Sequence, residues 1–277
     1  MRILVTGGTG FVGNHVINEL LSRNIKVVVA GRYESKAKSF AWFSYVEFIS
    51  FDISNEDIVL LSDIGEIDAV IHLAWSGLPN YKELFHLEKN LFQQYSFLKY
   101  LILNGISDIL ISGTCLEYGL KEGCLSVDEL TDPQNPYAIA KDTLRRFLQQ
   151  LQLSNKFTLK WVRLFYMYGE GQSPKSLIPQ IQKAISEGQE VFNLSGGEQL
   201  RDYLPVEMVA EFLVKLSLKN KLDGIFNCCS GSPISVRTFV ENYLLINEKN
   251  IKLNFGYYPY PDYEPFCFWG KKSILYD

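Results

Sequence analysis

The sequence is poor in histidine and cysteine, has no excess of positive charge and contains no long apolar run. Its three histidines, His15, His72 and His86, lie far apart, and its five cysteines, Cys115, Cys124, Cys228, Cys229 and Cys267, show no metal-ligand spacing. An odd number of scattered thiols argues against a disulfide framework and a zinc site. No metal is therefore expected, and the histidines read as packing or surface residues. Lys and Arg total 27 against 31 Asp and Glu, a formal net charge of −4. Without a basic block, the electrostatic footprint of a nucleic-acid binder is missing. No stretch approaches the roughly 18 apolar residues of a membrane span. A strand beginning at residue 2 leaves no room for a secretion signal. The expectation is a cytoplasmic protein with neither nucleic-acid nor membrane partners. Internal repeats, low-complexity tracts and linkers are missing as well.

What is present is enough chain, 277 residues with 47% hydrophobic and 21% charged, for one large α/β domain or a domain with a smaller lobe. Strand-like runs at 2–6, 26–31, 45–49, 68–73, 108–113 and 158–164 alternate with helical patterns, as parallel βαβ units do. Helical spacing of apolar residues is clearest over 81–104 and 136–153. From about residue 167 the texture changes to Gly, Pro and aromatic loops, with helices expected at 176–188 and 205–219, and Gly224–Cys229 reads as a strand returning to the main sheet. The predicted division is a dinucleotide-binding domain over 1–166 and a mostly substrate-binding, discontinuous lobe over 167–277. The aromatic, proline-rich stretch 257–266 reads as a rigid flap.

Ile3-Leu4-Val5-Thr6-Gly7-Gly8-Thr9-Gly10-Phe11-Val12-Gly13 is a buried-strand run breaking into a glycine turn that opens a helix. Gly7, Gly10 and Gly13 divide three tasks: a tight turn, close backbone approach to a pyrophosphate, and close packing of helix on strand. The phosphates would sit on the backbone N–H groups of the helix start, at Gly10, Phe11, Val12 and Gly13. Tyr137 and Lys141, in Asn-Pro-Tyr-Ala-Ile-Ala-Lys, lie four apart on one helix and so share a face. A phenol with an ordinary pKa of about 10 needs a neighbouring cation to act as an acid or base near neutrality. Lys141 is expected to supply that cation and to bind ribose hydroxyls. Ser112 and Thr114 end a strand, where ligands of open α/β sheets bind.

These motifs together resemble the extended short-chain dehydrogenase/reductases, the nucleotide-sugar epimerase/dehydratase group. The likeness runs through Asp52-Ile53, His72-Leu73-Ala74, a hydroxyl residue four before Tyr118-Gly119, Tyr137-x-x-x-Lys141, Arg163-Leu-Phe-Tyr166-Met-Tyr-Gly169 and Arg201-Asp-Tyr, nearly the whole chain. It implies a Rossmann-type sheet in which Asp52 and Ile53 flank adenine, Leu73, Ala74 and Ser112 line the cofactor, and Thr114, Tyr137 and Lys141 form the catalytic group. Trp75, Tyr166 and Arg201 would meet the substrate, Arg201 as a clamp on its diphosphate. It also implies a homodimer through the helices near 81–104 and 136–153, which Phe85, Phe92 and Phe97 would supply with a second apolar face.

At the end of the second strand, where an acidic residue would bind the ribose 2′-OH of NAD, stand Ala30-Gly31-Arg32. That favours NADP(H) over NAD(H), with Arg32 on the 2′-phosphate and Lys36 assisting. Cys115 and Leu116 occupy the places of the Asp-Glu pair that sugar 4,6-dehydratases use, which disfavours dehydration. The branch resembled most reduces 4-keto-6-deoxy sugars carried on a nucleoside diphosphate, to products such as fucose, talose or abequose for surface polysaccharide. Trp75, Tyr81 and Trp269 are candidates to wall the pocket. Two alternatives are a C4 epimerase with retained NAD and a non-catalytic dinucleotide sensor.

Overall fold

The computed structural model describes residues 1–54, 64–220, 222–260 and 264–273. Seven strands form one parallel sheet: β1 (Arg2–Thr6), β2 (Lys26–Gly31), β3 (Glu47–Ser50), β4 (Ala69–His72), β5 (Asp108–Thr114), β6 (Thr158–Leu164) and β7 (Gly224–Cys228). Their order is β7-β6-β5-β4-β1-β2-β3. The chain winds outward in both directions from the β1–β4 seam, which makes that seam the switch point where a ligand crevice opens. Registers align the carboxyl ends, Thr6 lying opposite both Ala30 and His72.

Alternation along each strand feeds two cores. Ile3, Val5, Val27 and Val29 face a layer formed by helices α1 (Phe11–Ser22) and α5 (Val206–Ser217), whereas Leu4, Val28 and Ala30 face helices α2 (Leu91–Leu103) and α3 (Pro136–Gln152). Both faces being covered is why these strands read as continuous apolar runs. A separate core joins α4 (Leu177–Ser186) to α6 (Val236–Ile246) in the second lobe. The lobe is stitched to the sheet domain by short strands. Tyr166–Tyr168 pairs with Tyr203–Pro205, and Phe268–Gly270 pairs with Gly123–Leu125 beside the carboxyl end of β5.

Three expectations change. Strand β3 starts at Glu47 because Ala41–Tyr45 forms a tight helical turn that buries Trp42. The helix expected from residue 81 begins only at His86, with a wide π turn over His86–Asn90 running into α2. Residues 81–84 lie outside the helix, where the His86 ring bonds back to the Asn80 carbonyl at 3.1 Å. Phe97 is fully buried, so it belongs to the core and not to a second apolar face. Phe85 covers Gly77 and lies against the His86 ring. Of the three phenylalanines, Phe92 alone is largely exposed.

Candidate active site

The glycine turn after β1 is shaped by contacts that exclude side chains. Gly7 adopts a φ of +76°, and a Cβ there would lie 2.7 Å from the Ala74 nitrogen. A Cβ on Gly13 would stand 2.2 Å from the Gly7 carbonyl oxygen. Gly8, to which the sequence pattern gave no task, shares the close packing: its Cβ would strike Ile17 and Val29. Gly10 opens α1 with no side-chain cap and no acidic residue in the first turn. The N–H groups of Phe11, Val12 and Gly13 therefore start an uncapped helix with its positive end at the crevice, which fits a pyrophosphate.

Around this turn, Leu73 N–H donates to the Thr6 carbonyl at 3.2 Å and Ala74 N–H to Thr6 Oγ1 at 3.4 Å. Thr6 in turn bonds His72 Nδ1 at 2.8 Å, and His72 Nε2 bonds Gln94 Oε1 at 2.7 Å. Burial lowers the His72 pKa to about 3. The ring is thus a neutral link, its Nδ1 accepting and its Nε2 donating. Asp52 accepts from Ser54 N–H and hydroxyl at 2.9 and 2.8 Å, which fixes the turn where Ile53 packs on the α2/α3 core. Arg32 is exposed, its guanidinium 5.4 Å from the Tyr33 ring.

Helix α3 brings the acid–base candidates to the carboxyl end of β5. Asn135 caps it, Oδ1 accepting from Ala138 N–H at 2.9 Å, and Pro136 sets the first turn. Tyr137 and Lys141 follow on one face. The Lys141 ammonium donates to the Ser112 carbonyl at 2.8 Å and lies 4.2 Å from the Trp75 ring centroid. The Tyr137 ring packs among Trp75, Tyr81 and His86, with centroids 5.8, 5.3 and 5.5 Å away. Trp75 is held by its own indole N–H, which donates to His86 Nδ1 at 3.0 Å. Thr114 hydrogen-bonds the phenol and stabilises its ionised form.

The electrostatics differ from expectation. Burial, with smaller contributions from Tyr81, Glu117 and Cys115, pushes the Tyr137 phenol up, and Thr114 is the group that opposes it. Lys141 is not among these leading influences: burial lowers its own pKa to about 7, so it has given up its proton before the phenol ionises. Burial lowers the Lys141 pKa to about 7, against which Glu117 pulls upward. Burial also drives the Cys115 thiol up, so Cys115 behaves as a packed apolar group.

On the lobe side, Arg201 is buried and differently engaged than a free clamp. Nη1 donates to the Leu200 and Phe266 carbonyls at 2.9 and 3.0 Å, and Nη2 pairs with Glu264 at 3.1 Å. The guanidinium lies over the Tyr166 and Phe268 rings, 5.6 and 5.0 Å from their centroids. The buried Tyr166 hydroxyl makes no hydrogen bond of normal geometry, although Glu264 and Arg201 are its electrostatic neighbours. Trp269 lies on the strand paired with Gly123–Leu125, opposite Cys124.

Two carboxylates escaped the sequence reading. Glu264 reaches Arg201 from 63 residues away, and no local pattern announces it. Glu117 had a signal: it stands three residues after Thr114 in the order of a capping box, and the box is formed.

Residues 3–229 match the NAD dependent epimerase/dehydratase family. The chain is 32% identical over 276 residues to the dTDP-6-deoxy-L-talose 4-dehydrogenase (NAD(+)) of Aggregatibacter actinomycetemcomitans, covering 98% of this chain and 100% of that one. It is 28% identical over 259 residues to the dTDP-4-dehydro-6-deoxyglucose reductase of Escherichia coli, covering 86% and 79%. Among solved structures, the UDP-N-acetylglucosamine 4-epimerase from Methanobrevibacter ruminantium M1 superposes with a TM-score of 0.87 at 23% identity, covering 99% of this chain and 90% of that one. At that identity the likeness speaks for the fold. With the glycine grip, the switch-point crevice and the match across most of its length, the chain belongs to the NAD dependent epimerase/dehydratase family, oxidoreductases of the short-chain type that bind a nicotinamide dinucleotide and act on nucleotide sugars.

Proposed function

We propose that this enzyme reduces the C4 keto group of a nucleoside-diphosphate 4-keto-6-deoxyhexose with NADPH, yielding a deoxysugar nucleotide such as a fucose, talose or abequose derivative for surface polysaccharide. The observation that carries the reading is the convergence of Thr114, Tyr137 and Lys141 in one buried site at the end of β5, with Cys115 and Leu116 where a dehydrating carboxylate pair would stand. The names of the two curated relatives, one a 4-dehydrogenase and one a reductase of dTDP-6-deoxysugars, support it.

A reduced nicotinamide dinucleotide, its pyrophosphate held by the glycine turn, would supply the hydride. Tyr137 gives its phenolic proton to the C4 oxygen as the carbonyl electron pair moves onto it, and Thr114, donating to the phenol, stabilises the phenolate left behind. Lys141 binds the nicotinamide ribose, its ammonium already oriented by Ser112 and Trp75. The substrate diphosphate recruits Arg201, which requires Glu264 to yield its place on the guanidinium, and Tyr166 offers its hydroxyl nearby. Asp52 and Ile53 flank the adenine, and Leu73, Ala74 and Ser112 line the path to the nicotinamide.

Arg32, exposed at the end of β2 with the neighbouring Glu34 paired to Lys38 at 2.9 Å, supports a preference for NADP(H). The relative named for NAD(+) makes the opposite preference the alternative to test. A homodimer through α2 and α3 is part of the reading, supported by Phe92 and Leu103, each 56% exposed on α2.

The test is reduced-nicotinamide consumption by the purified protein with dTDP-4-keto-6-deoxyglucose and its CDP, GDP and UDP counterparts. Turnover with NADPH, lost selectively relative to NADH in Arg32→Ala, supports the whole reading. Equal losses for both cofactors overturn the assignment of Arg32. Interconversion of C4 epimers by protein that retains NAD identifies an epimerase instead, and dinucleotide binding with no turnover a sensor.

A further inference from the structure

The turn that carries Thr114 is organised around a carboxylate that touches no substrate. Glu117 is fully buried. Its Oε1 accepts the Thr114 N–H at 2.9 Å and the Trp161 indole N–H at 3.0 Å, and its Oε2 accepts from Arg163 Nε at 2.8 Å, with Arg145 Nε at 4.0 Å. The backbone makes room for it: a Cβ on Gly113 would lie 2.3 Å from Trp161 Nε1 and 2.6 Å from Glu117 Oε1. Glycine at the end of β5 is thus what lets the carboxylate reach under Thr114. Burying an anion is costly unless every lone pair is used, and a neutral glutamine or a hydrophobe would fill the same volume at lower cost.

We propose that Glu117 is a positioning residue of the acid–base site: its carboxylate holds the backbone of Thr114 and lies against Gly113, next to the Ser112 carbonyl that anchors Lys141, so that its charge faces both members of the pair. The proposal deepens the reading of Tyr137 and Lys141 given above and rests on it. The titratable groups facing that pair are Tyr81 from the preceding loop, His72 at the end of β4, His86 on the π turn, and Cys115 and Glu117 on the turn after β5. His72 and His86 are kept neutral by burial, and the Cys115 thiol is driven up. Glu117 is the carboxylate of this set and is paired with Arg163 at 2.8 Å. It acts on both partners in one direction, raising the pKa of Tyr137 and of Lys141. Facing Glu117 itself are Arg163 and Arg145, with Arg163 also over the Tyr118 ring at 4.4 Å.

Removing the charge while keeping the shape therefore moves both protons to lower pH. In Glu117→Gln, dinucleotide affinity and turnover should each lose their basic limb about one pH unit earlier than in the wild type, the size of shift a nearby charge imposes. A solely structural role would lower affinity or turnover by one factor at every pH. Glu117→Gln leaves Arg163 buried without its partner and can fail to fold. The double variant Glu117→Gln/Arg163→Met removes both charges, the kind of replacement that buried pairs tolerate. The basic limb of the folded double variant is compared with that of Arg163→Met, so that loss of the guanidinium cancels, and no difference between the two overturns the proposal. Dinucleotide affinity, measured by calorimetry across pH without any sugar nucleotide, keeps this outcome separate from that of the substrate assignment: a chain that fails to reduce a 4-keto sugar still reports whether Glu117 governs the site's protons.

Discussion

Tyr137 and Lys141 share a helix face and a pocket, yet physical chemistry gives them different fates on substitution. Tyr137→Phe removes one hydroxyl from a ring packed among Trp75, Tyr81 and His86, so folding and dinucleotide binding should survive. Single-turnover reduction should fall by about 10²–10⁴-fold, and a wild-type rate would remove Tyr137 as the proton donor. Lys141→Met should weaken dinucleotide binding while making the protein more stable. The ammonium is buried and its pKa is lowered from 10.5 to about 7, so the unfolded chain holds that proton more tightly. This group's contribution is complete above about pH 10.5 and is lost progressively as pH falls to 7. Thermal melts at pH 7 should place Lys141→Met a few degrees above the wild type, with a flatter dependence between pH 7 and 10.5. A lower melting temperature would mean that the Ser112 bond outweighs desolvation. The Tyr137–Lys141 pair was legible in the sequence because helical spacing is local. The Arg201–Glu264 pair was not, since its partners meet only when the lobe closes on residues 264–270.

Helix α3 carries both of those side chains on a single polar cap. Asn135→Ala should cost about 1 kcal/mol and lower the denaturation midpoint without altering the slope. A loss of turnover larger than the fraction unfolded would show that the cap also aims Tyr137. Helix α1 is the reverse case, since Gly10 offers no side chain to its first turn. The strands were readable as continuous apolar runs between helical patterns, to within two residues at β3. The start of the helical run after residue 81 was not, because the apolar spacing of Leu84 and Leu87 continues through a loop that His86 ties to Asn80. Periodicity reports which residues are apolar, and tertiary hydrogen bonds decide where the helix begins.

Across the chain, one edge of the sheet is completed only after a long excursion. Strand β7 pairs with β6 over Gly224–Cys228 and Lys160–Leu164, and the first part of the lobe, including α4, is threaded between them while α6 follows β7. A cut at residue 166 therefore divides the sheet and not merely a linker, as the expected return of 224–229 to it implies. A chain shortened to residues 1–166 would expose the β6 edge along its length and the Val162 and Leu164 side of the core, and it should aggregate where the full chain does not. Recovery of a monodisperse, cooperatively melting 1–166 fragment would contradict this. During synthesis the same arrangement sets a schedule. The ribosome delivers the glycine turn first and the closing strand some two hundred residues later. The nascent sheet must wait with an open edge until β7 has emerged, and that interval is when an unpaired β6 edge is most exposed to association with other chains.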